Sequence, residues 1–226
     1  GIGVSAGDLL RTLLLRRAAD EEREEILEAW RNVVELDDDT FLRHYWVSYN
    51  GDIKTRSLYR EMKRTILAEN RNSLDLARDL SETAILYKEI QDGRDPDPEL
   101  RRLLSDIRML SANALLPAVM SAYAAGNVED RRNVVRALIT LYVRHNVIGN
   151  LEGSQLESVV FNVAKQLRAT EGFTEAVRTL REAAPSDAAF RESFATAEIK
   201  RGASARYLLR KLEEYRRGTQ ELEVAP

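Results

Sequence analysis

Apolar side chains recur at helical spacing along nearly the whole chain, and nowhere do they alternate with polar ones as in a half-buried strand. Leu9, Leu10, Leu13 and Leu14 make a stripe over residues 5–17, where Ser5 is placed to cap the first free amides. A second helix is predicted over 20–35, with Ile26, Leu27, Trp30, Val33 and Val34 on its buried side. Its first six residues hold five acids, where the amide dipoles favour negative charge. Over 39–50, Phe41, Leu42, Tyr45, Trp46 and Tyr49 form one broad apolar and aromatic face, leaving Arg43 and His44 on the polar side. Asp39 or Thr40 is expected to cap that helix, and Asn50 and Gly51 to end it. Leu58, Tyr59, Met62, Ile66 and Leu67 predict the next helix, and Leu76, Leu80, Thr83, Ala84 and Tyr87 a longer one over 73–90.

Asp95-Pro-Asp-Pro98 is a stiff break after Asp92 and Gly93, with Asp97 as a cap and Pro98 as the first residue of a new helix. Leu100, Leu103, Leu104, Ile107 and Leu110 give that helix its inner face. Pro117 is expected to kink the chain or restart a helix that ends at Gly126 and Asn127. Val135, Leu138, Ile139 and Tyr142 mark residues 129–147, closed by Gly149 and Asn150. Ser154-Gln-Leu-Glu157 reads as a capping box in front of Val159, Val160, Val163 and Leu167. Shorter helices are predicted over 173–184, over 187–199 with Phe190 and Phe194, and over 203–217 with Tyr207, Leu208, Leu212 and Tyr215. The sum is an all-α fold of about ten helices without significant sheet. Residues 1–226 read as one domain, with 1–93 and 97–226 as candidate subdomains, and no fixed period supports a solenoid.

The run Phe41-Leu-Arg-His-Tyr-Trp46, then Gly51, then Leu58-Tyr-Arg-Glu-Met-Lys63, resembles the helical region of GmrSD-type modification-dependent restriction endonucleases. The likeness extends to the leucine-rich and Trp30-bearing helices before it, to the run after Pro98, and to the Tyr207-Leu-Leu-Arg-Lys-Leu-Glu213 helix. It departs at His145-Asn146 and Glu152-Gly153, where many relatives carry a second arginine, a cysteine and a Pro-Thr-Asn turn. In that family a ParB-like nucleotide-binding module with an Asp-Gly-Gln-Gln-Arg motif precedes the helical region, and an HNH nuclease follows it. The resemblance therefore implies a parent that uses a nucleoside triphosphate and a divalent metal to cut modified DNA. This stretch would be its helical scaffold, with the NTPase and nuclease modules of the same chain as partners and DNA reached through the parent. The opening Gly1-Ile-Gly3 and a first methionine at Met62 fit an expectation that the sequence is a piece of a longer protein.

Composition narrows the chemistry. With no cysteine and two histidines, thiolate and zinc chemistry have few ligands to draw on. No phosphate-cradling G-x-x-x-x-G-K-[ST] loop, G-x-S-x-G elbow or Asp-Gly-Gln-Gln-Arg motif occurs, and His44 and His145 lack an HNH context. No catalytic, cofactor or metal-ligating residue is therefore assigned, and no cofactor is expected in this chain. Without an apolar run long enough to span a bilayer or a signal peptide, a cytoplasmic protein away from membranes is expected.

Charge is polarised more than the net −3 suggests. Residues 20–39 hold ten acids against Arg23 and Arg31, and residues 43–71 hold seven Lys and Arg against three acids. Lys54, Arg56, Arg60, Lys63 and Arg64 read either as a phosphate-contacting face or as a solvated face balanced by the acidic helix. The net acidic chain favours the second reading. Arg210 and Lys211, with Arg206, Arg216 and Arg217, make a second basic cluster near the end. With Arg43, His44 and Arg144 these are the candidate contacts for nucleic acid or a neighbouring domain. A free-standing helical interaction module and an enzyme with a composite site remain rival readings.

Overall fold

A computed structural model describes residues 4–169 and 172–223, leaving aside the side chains of residues 38 and 219–223. Among the described residues there are twelve α-helices and no strand. They are α1 (Ala6–Arg17), α2 (Arg23–Val34), α3 (Asp38–Asn50), α4 (Leu58–Ala68), α5 (Ser73–Asp92) and α6 (Pro98–Leu110). After them come α7 (Leu116–Ala125), α8 (Val128–Tyr142), α9 (Gly153–Arg168), α10 (Phe173–Ala183), α11 (Asp187–Thr196) and α12 (Gly202–Glu223). Short 3-10 turns precede α2, α4 and α7, and a π-turn, Val143–Ile148, extends α8.

The centre is α7. Every residue from Leu116 to Tyr123 is buried, the signature of a helix apolar on all sides. Pro117 lies in its first turn, so the proline restarts the chain rather than kinking it. Around α7 stand α3, α5, α8 and α9, and α3 in turn touches α1, α2, α4, α5, α7 and α9. Phe41, Leu42, Tyr45, Trp46 and Val47 of α3 are all buried in a cluster that runs without interruption from Leu10 to Tyr207. The cluster therefore crosses the break at residues 95–98. That break is itself a joint, because Tyr123 of α7 donates to Asp95 at 2.7 Å and Arg132 of α8 forks onto Asp97.

Several helix boundaries follow local rules. The Ser5 hydroxyl accepts from the Asp8 amide at 3.0 Å, Asp97 accepts from Leu100, and Gly93 closes α5 at φ 71°. Others follow long-range partners. Asp39 does not cap its own helix; its carboxylate accepts from the amides of Ala6 and Gly7 and so caps α1. The expected capping box at Ser154 does not form either. No side chain caps α9, which begins at Gly153, and Glu157 reaches Arg43 instead. On α2, Leu27 and Val34 point to solvent, so the buried face is the narrower stripe Ile26, Trp30 and Val33.

Candidate functional site

Arg43 and His44 stand side by side on the polar side of α3, yet neither is left to solvent. The Arg43 guanidinium lies 5.2 Å from the centre of the Phe161 ring, donates to the Ile53 carbonyl, and pairs with Asp52 and Glu157 at 3.4 Å. It ties α3 to α9. His44 is 6% exposed, and its Nδ1 shares a 2.8 Å hydrogen bond with the hydroxyl of Tyr87 on α5. Burial, reinforced by the neighbouring Arg43 charge, pushes the imidazole down to about 4, against a smaller upward pull from Asp37. At neutral pH His44 is thus an uncharged core group.

Arg144, Arg210 and Lys211 are likewise joints. Arg144 sits in the π-turn, 5.1 Å from the Phe190 ring centre, donating to the Pro185 carbonyl and pairing with Asp187 at 2.6 Å, which fastens α11. Arg210 and Lys211 of α12 both pair with Asp106 of α6, whose side chain is 1% exposed. A carboxylate that deep needs its cations close. Tyr207 packs beside the pair, its hydroxyl pushed up to about 12 by burial and then by the Asp106 charge.

The basic segment has a different character. Lys54, Arg56, Arg60, Lys63 and Arg64 are exposed, and among the described residues only Arg60 and Arg64 of these form ion pairs, both with Glu61. Helix α2 does not balance them. Glu25, and Glu35 just past its end, turn to α5, where they pair with Arg78 and Lys88, while Glu28 pairs with Arg31 of its own helix. Helix α4 packs instead on α1 and α3.

Sequence reasoning missed a cleft of about 780 Å³ between the π-turn and the start of α12. Its wall carries Tyr142, Asn146 and Asn150 on one side and Glu198, Lys200, Arg201 and Ser204 on the other. The signals were the run Arg144-His-Asn-Val-Ile-Gly149, read only as a helix end, and a Lys-Arg-Gly sequence at a helix start. The π-turn needs its glycine, since a Cβ on Gly149 would sit 2.7 Å from the Arg144 carbonyl oxygen. No group of three or more His, Asp or Glu side chains among the described residues is arranged to hold a metal ion. No described helix is long and apolar enough to cross a membrane.

No protein-family model matches the chain, and no curated protein matches it.

Proposed function

We propose that the chain is the helical scaffold and coupling region of a GmrSD-like type IV restriction protein acting in the cytoplasm. It would join an N-terminal NTP-binding sensor to a C-terminal HNH nuclease in phage defence. In this reading the nucleoside triphosphate, the divalent metal and most DNA contacts belong to those modules. One observation carries it: the helix that bears the resemblance, α3, is also the helix that touches six others. Phe41, Leu42, Tyr45 and Trp46 are packing residues, and Arg43 and His44 bind α3 to α9 and α5. Because close-packed interiors transmit displacement rather than absorb it, such a helix suits relaying movement from one end of a domain to the other.

The test is made in the parent protein. The gene on either side of this stretch should encode the Asp-Gly-Gln-Gln-Arg motif upstream and an HNH motif downstream. With both present, Phe41→Ala should leave nucleotide hydrolysis in place and reduce DNA cleavage, because the relay is loosened while both ends stay whole. Hydrolysis and cleavage lost in parallel would point to unfolding. If neither motif flanks the stretch, the coupling reading falls, and a helical interaction module takes its place.

A further inference from the structure

The cleft between the π-turn and α12 has the parts of an anion site. The Ala205 amide donates to the Arg201 carbonyl at 3.0 Å, which makes Arg201 the cap and leaves the amides of Gly202, Ala203 and Ser204 without intrahelical acceptors. They open a helix that runs to Glu223, and Arg201 and Ser204, at either end of this first turn, line the cleft, which sets the positive end of the helix dipole beside it. A helix start alone would mean little. Here two residues, each nine-tenths buried, bring to the same cleft a hydroxyl without a hydrogen-bond partner among the described residues: Ser204, 6% exposed, and Tyr142, 7% exposed. Neither oxygen is among the sealed, unpartnered atoms of the interior, so each opens to the cleft, where a ligand can take up its hydrogen bond.

Charge sets the sign of that ligand. Lys200 and Arg201 form no ion pair among the described residues, and Glu198 is the one carboxylate on the cleft wall. Two cations and a helix start outweigh one carboxylate, which excludes a cation as the occupant. Burial holds the Tyr142 phenol above its ordinary range against the pull of Arg201, so it remains an O–H donor at neutral pH. Asn146 is fixed by its side-chain oxygen, 2.9 Å from His145 Nδ1, which turns its amide nitrogen free as a further donor. The space far exceeds one phosphate and falls in the range of small-molecule sites, about 300–1,000 Å³. The rest of its wall mixes amides, hydroxyls and one carboxylate, suited to the hydroxyls of a sugar, with the apolar Val147, Ile148, Leu151, Ala197 and Ile199.

We propose that this cleft binds a sugar phosphate, free or within a nucleotide, with the phosphate at the α12 amides, Lys200 and Arg201, and the sugar toward Tyr142, Asn146 and Glu198. The site stands apart from the coupling reading, since it requires no neighbouring module. Calorimetric titration of the chain at low salt tests it with ribose 5-phosphate, AMP, inorganic phosphate and unphosphorylated ribose. Ribose 5-phosphate should bind, and ribose should not. Inorganic phosphate should bind about tenfold more weakly than ribose 5-phosphate, through loss of the sugar contacts. Equal affinity for AMP and ribose 5-phosphate identifies the sugar phosphate as sufficient, and tighter AMP binding identifies a nucleotide. Lys200→Glu with Arg201→Glu, both on exposed and unpaired side chains, should weaken binding at least about tenfold with the melting temperature unchanged. Tyr142→Phe should weaken it about threefold to tenfold. Three results overturn the proposal: no binding of either phosphorylated probe at millimolar concentration, binding unaltered by the charge reversals, or inorganic phosphate binding as tightly as both.

Discussion

Protonating His44 would place a positive charge in the core beside Arg43, facing a tyrosine hydroxyl, with only the smaller pull of Asp37 to offset it. An unfolded chain has no such conflict, and its histidine titrates near the ordinary 6.5, against about 4 in the fold. Between those values the unfolded state binds more protons than the folded one, so stability falls as the pH is lowered through this window. From pH 7 to pH 4.5 the linkage amounts to roughly 2 kcal/mol. Carboxylates held low by arginine, such as Asp97 at about 2 beside Arg132, lose their contribution only at more acidic pH. The measurement is urea unfolding of the wild type and His44→Asn at both pH values; asparagine retains a polar atom for Tyr87. The wild type should lose roughly 2 kcal/mol more than the variant over that interval. A titration of the His44 ring by NMR should give a midpoint near 4. A difference below about 0.5 kcal/mol, or a midpoint near the ordinary value, would refute the argument that burial governs this residue.

Gly126→Ala should destabilise the chain by roughly 1–3 kcal/mol in denaturant unfolding, because its Cβ would lie 2.6 Å from the Phe173 ring and 2.9 Å from the Ala122 carbonyl. A neutral result would mean that Phe173 swings away freely. Asp106→Asn should release α12, since it removes the buried carboxylate that holds Arg210 and Lys211. Limited proteolysis should then cut within α12 well before the rest of the chain, whereas unchanged protection would show that Tyr207 packing suffices.

How legible all this was in the sequence depended on how far each decision reached along the chain. The Ser5 cap, the Asp97 and Pro98 start and the stop at Asp92 and Gly93 are settled within a few residues, and those readings hold. The all-helical class follows from spacing alone. Decisions that involve distant partners were out of reach. Asp39 caps a helix thirty-odd residues earlier because the start of α1 lies against α3. Glu157 abandons a local capping box because Arg43 is nearer a fuller set of partners. His44 looked polar by position, yet Tyr87 supplies a buried hydrogen bond that no pattern on α3 contains. The cleft was hidden for the same reason: Tyr142 and Ser204 are sixty-odd residues apart and meet only when α12 returns past the π-turn.

The arginines explain why a chain so rich in charge keeps one continuous core. Arg43 lies over Phe161, Arg131 over Tyr123, Arg144 over Phe190 and Arg168 over Tyr49, each pair joining two different elements. A planar guanidinium can stack on a ring with one face while its edge donates to carbonyls and carboxylates, which a lysine ammonium cannot do. Arg131 also donates to the Tyr123 carbonyl, and Arg168 to the Tyr49 hydroxyl at 2.6 Å. Such contacts are worth about 0.5–2 kcal/mol each, little singly but placed where neighbouring helices would otherwise slide. It follows that a count of basic residues misjudges what the surface offers an anion. Arg43, Arg144, Arg210 and Lys211 are already engaged inside the fold. Among the described residues Lys54, Arg56 and Lys63 around α4, and Lys200 and Arg201 at the cleft, form no ion pair. The first is an open helix face suited to a broad partner, and the second is a walled site suited to a small one.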